Sequence, residues 1–221
     1  MEPVFFLYIP GLLLALTLHE MAHGLVAYWG GDDTAALKGR ITINPLPHID
    51  LFGTIIFPLL LFLFNTPFLF GWAKPVPVDP RKLRSSAWMM WVSLAGPAAN
   101  FLLLVASMLA LKGFVVALQW MPALASNEKL TGAVGTMLYI SVVLNFVLMF
   151  FNLLPIPPLD GSRVAYQLFF SRSQKAAEVF SFAERYGMIL LILLFRPLGA
   201  VMRVGIDGLD TFMVAVLGIH L

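Results

Sequence analysis

Long uncharged runs alternate with short polar connections along this chain. Pro3–Leu18 holds no charge, and after a polar cluster at His19–His23 the apolar character resumes to Trp29. A helix that crosses a bilayer needs about 20 mostly apolar residues, so this stretch suits one span with a polar cluster near its C-terminal end. Leu51–Ala73, Ser85–Leu111 and Leu130–Leu159 are the next uncharged runs. Gly113–Asn127 is apolar but short and contains Pro122, and it reads as an interfacial loop or half-helix. The tail is ambiguous: Gly187–Phe195 is apolar, but Arg196-Pro197 and Arg203 interrupt the chain beyond it.

Two connections carry most of the polar residues. In Gly30–Asp50, the stretch Lys38–Asn44 alternates polar and apolar until Pro45 stops it. A period of two predicts a short strand or hairpin over Arg40–Asn44. In Lys74–Arg84, Pro75, Pro77 and Pro80 exclude helix and favour an extended path.

Composition turns these runs into a class. Sixty per cent of the 221 residues are apolar and only 12% are charged, about half the charge of a soluble domain. So few charges cannot cover a water-facing surface, which excludes a soluble chain, a coiled coil and disorder. Cys is 0, which excludes a disulfide scaffold and leaves His and carboxylate as strong metal ligands. The net charge of +2 gives no reason to expect a nucleic-acid partner. The expectation is an all-α polytopic membrane protein, one integral-membrane domain over residues 1–221, with the lipid bilayer as its surroundings. No basic segment precedes the first apolar run, so a cleavable signal peptide is not expected there.

His19-Glu20-Met21-Ala22-His23 carries the candidate chemistry. On a helix, positions i and i+4 differ by about 40°, so both imidazoles face one side and can share one tetrahedral cation. Glu20 stands beside His19, able to reach a water at that cation without being a ligand. Composition alone would yield about 0.0016 chance matches to this pattern. Ionisable groups inside a lipid-embedded segment are costly and are functional by default.

A catalytic zinc takes three protein ligands and keeps a fourth position open. His48, His220 and the few carboxylates are the candidates for the third, and Asp160 stands out among them. It comes after Asn152-Leu153-Leu154-Pro155-Ile156-Pro157-Pro158-Leu159, whose three prolines break the helix. Irregular backbone at membrane depth is tolerated where it lines a cavity. His48 comes after a proline in a polar loop and reads as a surface or supporting residue; His220, beside the C-terminus, reads as incidental.

These residues resemble the site-2 protease family of intramembrane zinc metalloproteases. The resemblance rests on the HExxH at 19–23, on Gly96-Pro97-Ala98-Ala99-Asn100, and on the run Asn152–Gly161, in that order and spacing over roughly residues 3–170. It implies that His19, His23 and Asp160 bind one zinc ion, that Glu20 is the general base, and that Asn152 and Asn100 contact the substrate carbonyl or oxyanion. It implies transmembrane proteins or peptides as substrates. The chain looks like a compact member without a PDZ or CBS domain.

If the three ligands meet, the helix ending near His23 and the helix ending before Asp160 run parallel. One of the two intervening runs then cannot be a full crossing. Leu51–Ala73 is the better candidate for a re-entrant or surface-lying segment, because Pro58 and Asn65-Thr66-Pro67 invite a turn. With that assignment, ten Lys and Arg fall in loops on one side and two, Lys112 and Lys129, in the loop opposite. The bias puts the ten in the cytoplasm, with the active site opening toward it in a bacterial or archaeal cell membrane. A metal transporter or metal sensor with the same ligands is the rival reading. A transporter would carry polar residues along a whole path, whereas here they cluster at one depth. A pseudoprotease that binds helices would be expected to lose Glu20, which is present.

Overall fold

The computed structural model describes residues 4–64, 71–121, 125–171 and 173–219. His220 and the Asn65-Thr66-Pro67 turn lie outside the described residues. Helix α1 covers Val4–Trp29 and a short α2 covers Thr34–Leu37. After a 3-10 turn at Leu46–His48 come a π-helical turn, Leu51–Ile56, and α3, Phe57–Leu63. Next come α4, Trp88–Trp120, α5, Glu128–Asn152, the short α6, Asp160–Ala165, and the long α7, Gln174–Leu217. Three of these, α1, α4 and α5, are long and apolar enough to cross a membrane.

Side-chain pairing gives their directions. His23 meets the carbonyl of Val92 while His19 meets Asn100, so α1 and α4 run antiparallel. Asn100 meets Asn145 while Ser107 meets Ser141, so α4 and α5 are antiparallel too. Gly11 lies against Ser141 and Leu144, and Ala15 packs with Leu148. Positions rise together on both helices, so α1 and α5 are parallel, the relation that lets His19, His23 and Asp160 share one level.

The chain on either side of residues 65–70 is drawn together. Trp72 donates its N–H to the Gly53 carbonyl at 3.1 Å, Thr54 Oγ1 donates to the Trp72 carbonyl at 2.8 Å, and Lys74 N–H reaches the His48 carbonyl at 2.9 Å. Among the described residues the helical part of 51–73, Leu51–Leu63, is too short to span.

Two expectations are corrected, and the ambiguous tail takes a definite course. No strand forms among the described residues, and within Arg40–Asn44 the chain bends at residues 41–43. Its backbone is satisfied locally: Asn44 N–H donates to Thr42 Oγ1 and Leu46 N–H to Asn44 Oδ1, each at 3.1 Å, and the Thr42 carbonyl accepts from His48 Nε2. Short polar side chains bonded to neighbouring backbone compete directly with a ladder. Gly113–Asn127, expected as an interfacial loop or half-helix, is instead a continuation of α4 as far as Trp120, through residues that hold no proline. The tail is one helix despite Pro197. Gly187 lies against Pro157, Gly205 against Phe146, and Asp210 accepts from the Tyr139 hydroxyl, so α7 descends antiparallel beside α5. At its far end Met213 and Ile219 close an apolar cluster with Leu104, Met108, Leu111 and Val142.

Candidate metal centre

His19 and His23 sit one turn apart near the end of α1, and both are buried, 6% and 9% exposed. Their rings stand nearly perpendicular, at 85° with centroids 4.7 Å apart. Each ring is held from behind through Nδ1. That of His19 meets Asn100 Oδ1 at 2.6 Å, and that of His23 meets the Val92 carbonyl at 2.6 Å. Because Pro97 has no N–H, the Ser93 carbonyl, next to that of Val92, has no helical donor from it.

Asp160 reaches the same point from the other side of the bundle. Leu153–Leu159 leaves the end of α5 irregularly, with a cis bond at Pro157–Pro158, and α6 begins at Asp160. Gly161 permits this docking: a Cβ there would lie 2.2 Å from the Leu153 carbonyl oxygen. Asp160 Oδ2 is then 3.3 Å from Nε2 of both histidines, and the two Nε2 atoms are 3.1 Å apart. Among the described residues these three form a group able to hold a metal ion.

The chemistry of this triangle favours a cation at its centre. With Nδ1 of each ring donating to an oxygen, each neutral imidazole presents a lone pair at Nε2. Asp160 Oδ2 is buried and has no hydrogen-bond partner. Three acceptors thus face one another without a proton between them, and protonating both rings would instead set two cationic N–H groups 3.1 Å apart. A divalent ion relieves both conflicts. Bonds of about 2.0–2.1 Å in a tetrahedron place ligand atoms about 3.3–3.4 Å apart, close to the observed edges. The donor set fits zinc.

Gly96 lets α4 pass close to the pair. A Cβ at that position would fall 2.4 Å from His23 Nε2 and 2.6 Å from His19 Nε2.

Similarity to known proteins agrees with this geometry. A profile of peptidase family M50 matches residues 111–194, which include Asp160. "Putative zinc metalloprotease YwhC" of Bacillus subtilis is 38% identical over 193 residues, covering 86% of this chain and 80% of that protein. The chain belongs to peptidase family M50, the site-2 protease family. "Putative zinc metalloprotease Rip2" of Mycolicibacterium smegmatis is 31% identical over 195 residues, 88% of this chain and 68% of that protein. Its namesake in Mycobacterium tuberculosis is 28% identical over 196 residues, 87% and 67%. No solved structure matches. With three helices fit to cross a bilayer, this M50 peptidase is a multi-pass membrane metalloprotease.

Each of the other candidate residues has partners of its own. Glu20 is half-buried, and its Oε2 accepts the backbone N–H of Val76 at 2.7 Å. Val76 belongs to the extended segment 71–79, which also receives Arg40: Nη2 donates to the Lys74 carbonyl at 2.5 Å. His48 is buried rather than at the surface, donating through Nε2 to the Thr42 carbonyl at 3.1 Å. Burial pushes its imidazole down, and the nearby Arg40 charge adds to that against the Thr42 carbonyl and the Glu20 charge. Asn100 is fully buried and stands behind His19. Asn152 ends α5, its Nδ2 donating to the Leu148 carbonyl at 3.0 Å.

Sequence reasoning missed Val76 and Asn145. A backbone donor leaves no mark in a side-chain pattern. Asn145 did leave one, as a polar residue within an uncharged apolar run, where polar groups call for partners.

Proposed function

We propose that this protein is an intramembrane zinc metalloprotease that hydrolyses peptide bonds in or near transmembrane segments of other membrane proteins, as in regulated intramembrane proteolysis. The observation that carries the reading is the convergence of His19 Nε2, His23 Nε2 and Asp160 Oδ2 within 3.3 Å of one another, beside the Glu20 carboxylate. His19, His23 and Asp160 would hold one zinc ion, as expected from relatives that carry the name of zinc metalloproteases. Zinc there would polarise the scissile carbonyl and make a water nucleophilic near neutral pH.

Glu20 is the general base. Its carboxylate takes a proton from the attacking water and returns it to the leaving amide nitrogen. The Val76 N–H holds one of its oxygens, which fixes the direction of the other. The irregular stretch Leu153–Leu159, together with Asn152, lines the approach and lets water reach a site at membrane depth.

The same reading places the protein in the cell membrane, with the site opening to the cytoplasm. Loops 30–50, 74–84 and 161–185 carry ten basic residues, and a re-entrant course for 51–73 is supported by the bonds that join Gly53 to Trp72 and His48 to Lys74. A purified wild-type protein and Glu20→Gln, each assayed in lipid against single-pass segments with zinc content measured, test the reading. The expected result is cleavage by wild type alone with equal zinc in both. Equal cleavage by both would remove Glu20 from the chemistry. Zinc binding without cleavage of any segment would favour a transporter or sensor.

A further inference from the structure

A hydrogen-bond chain runs from His19 across α4 into α5, and its direction can be read from its far end. Asn145 Nδ2 lies 2.8 Å from the Ser141 carbonyl, which can only accept. The Asn145 amide must therefore turn its Oδ1 toward Asn100. Asn100 answers with Nδ2 at 3.1 Å, and the same nitrogen faces a second obligate acceptor, the Ala15 carbonyl, at 3.4 Å. Asn100 is thus compelled to present Oδ1 to His19 Nδ1 at 2.6 Å. That nitrogen must carry the ring proton, so Nε2 is left with its lone pair toward Asp160 and His23. Asn100 and Asn145 are 0% and 1% exposed, so water offers neither amide an alternative partner. Ser107 and Ser141 close the chain, their hydroxyls 2.9 Å apart.

We infer that Asn145, acting through Asn100, is a positioning residue that selects the His19 tautomer able to bind the metal. This rests on the reading that His19 is a zinc ligand. Asn145 touches neither ligand nor substrate; it acts because a fixed backbone carbonyl on α5 dictates the orientation of two successive amides. Partners of this kind typically alter metal affinity about 10–100-fold when removed. The lower end is expected for Asn145, since the Ala15 carbonyl still restrains Asn100 in its absence.

The test compares Asn145→Val with Asn145→Thr, which match in shape. A threonine hydroxyl at this position donates to the carbonyl four residues back, here Ser141, and turns its lone pairs to Asn100; valine offers neither. The full-length protein in nanodiscs is titrated with zinc against a chelator. The 15N spectrum of His19 in the metal-free protein reports which ring nitrogen is protonated. Asn145→Val should lose about tenfold in zinc affinity and show mixed tautomers, and Asn145→Thr should recover most of both. A purely structural role would move the two variants alike, so equal behaviour of Val and Thr overturns the inference, as does wild-type affinity in the Val variant. If Asn145→Val does not fold, Asn145→Ala against Asn145→Ser makes the same comparison. His19→Ala is run alongside: retained zinc there defeats the metal-site reading and the inference with it, whereas lost zinc there with an unaffected Val variant defeats the inference alone.

Discussion

Val76 reaches Glu20 across 56 positions of sequence, its backbone N–H lying 2.7 Å from Oε2. The donor is held in place by the same extended segment. Lys74, two residues earlier and on the same edge, gives its N–H to the His48 carbonyl and takes Arg40 on its own carbonyl. Pro75 and Pro77 have no N–H to offer the other edge. Val76→Pro would delete the donor in a segment already suited to proline. The expected outcome is unchanged zinc content with turnover lowered about 10–100-fold, the scale on which a misplaced catalytic group acts. Zinc analysis beside a cleavage assay checks it, and wild-type turnover would mean that Glu20 is oriented by something else.

Gly96→Ala is the sharpest steric test of the metal centre. The added Cβ would sit 2.4 Å from His23 Nε2 and 2.6 Å from His19 Nε2. Both rings are tied behind, to Val92 and Asn100, so neither can yield without losing a buried bond. Zinc occupancy should fall severely while the helices persist by circular dichroism. Gly113→Ala, where nothing lies within 4 Å, is the control and should retain its zinc. Full occupancy in Gly96→Ala would show that the metal is not held between these rings.

Single cysteines can map the topology without background, since the chain has none. Substitutions at Lys38, Arg81 and Lys175 should label from one side of the membrane and one at Lys129 from the other. Ala215→Cys, near the end of α7, should label with Lys129, because α7 runs antiparallel to α5 from Phe146 to Tyr139 and its end packs with Val142 and Leu138. Lys38 and Arg81 on opposite faces would make residues 51–73 a crossing. Labelling of position 215 from the Lys38 side would place α7 along the surface.

Asp32 supplies a pH-dependent clamp outside the spans. Buried, it accepts from Thr34 N–H and hydroxyl through Oδ1 and from Asp79 N–H through Oδ2, at 3.0, 2.5 and 2.6 Å. Burial alone would raise its pKa, but these bonds outweigh it and hold the carboxyl below its ordinary value. A depressed native pKa means stabilisation that is complete above the unfolded value, about 3.9, and lost as pH falls through the native one. Wild type should therefore be more stable than Asp32→Asn at neutral pH, and the gap should close below about pH 4. Thermal unfolding across that range checks it; a gap independent of pH would mean the ionised form is not what stabilises.

Much of the site was legible because its chemistry is local. His19, Glu20 and His23 share one helical turn, and periodicity alone sets both imidazoles on one side. Asp160 was legible through its neighbours, three prolines that had to break a helix at membrane depth. The parallel course of α1 and α5 came from requiring those ligands to meet, and the contacts of Gly11 and Ala15 along α5 agree with it. Arg40–Asn44 misled because alternation is also produced by Thr and Asn side chains that satisfy adjacent backbone, and nothing in the pattern separates that from a strand.

The sequence by itself determined the class of molecule, the spans α1, α4 and α5, and the identity of the groups that converge, since apolar run length and helical spacing are properties of the local chain. Only the tertiary structure decided that Asn100 stands behind His19, that Asn145 orients it, and that Val76 holds Glu20. Those relations are hydrogen bonds between partners 45 to 81 positions apart. Their existence depends on which faces of the helices meet and at what height, and no local pattern of residues encodes that.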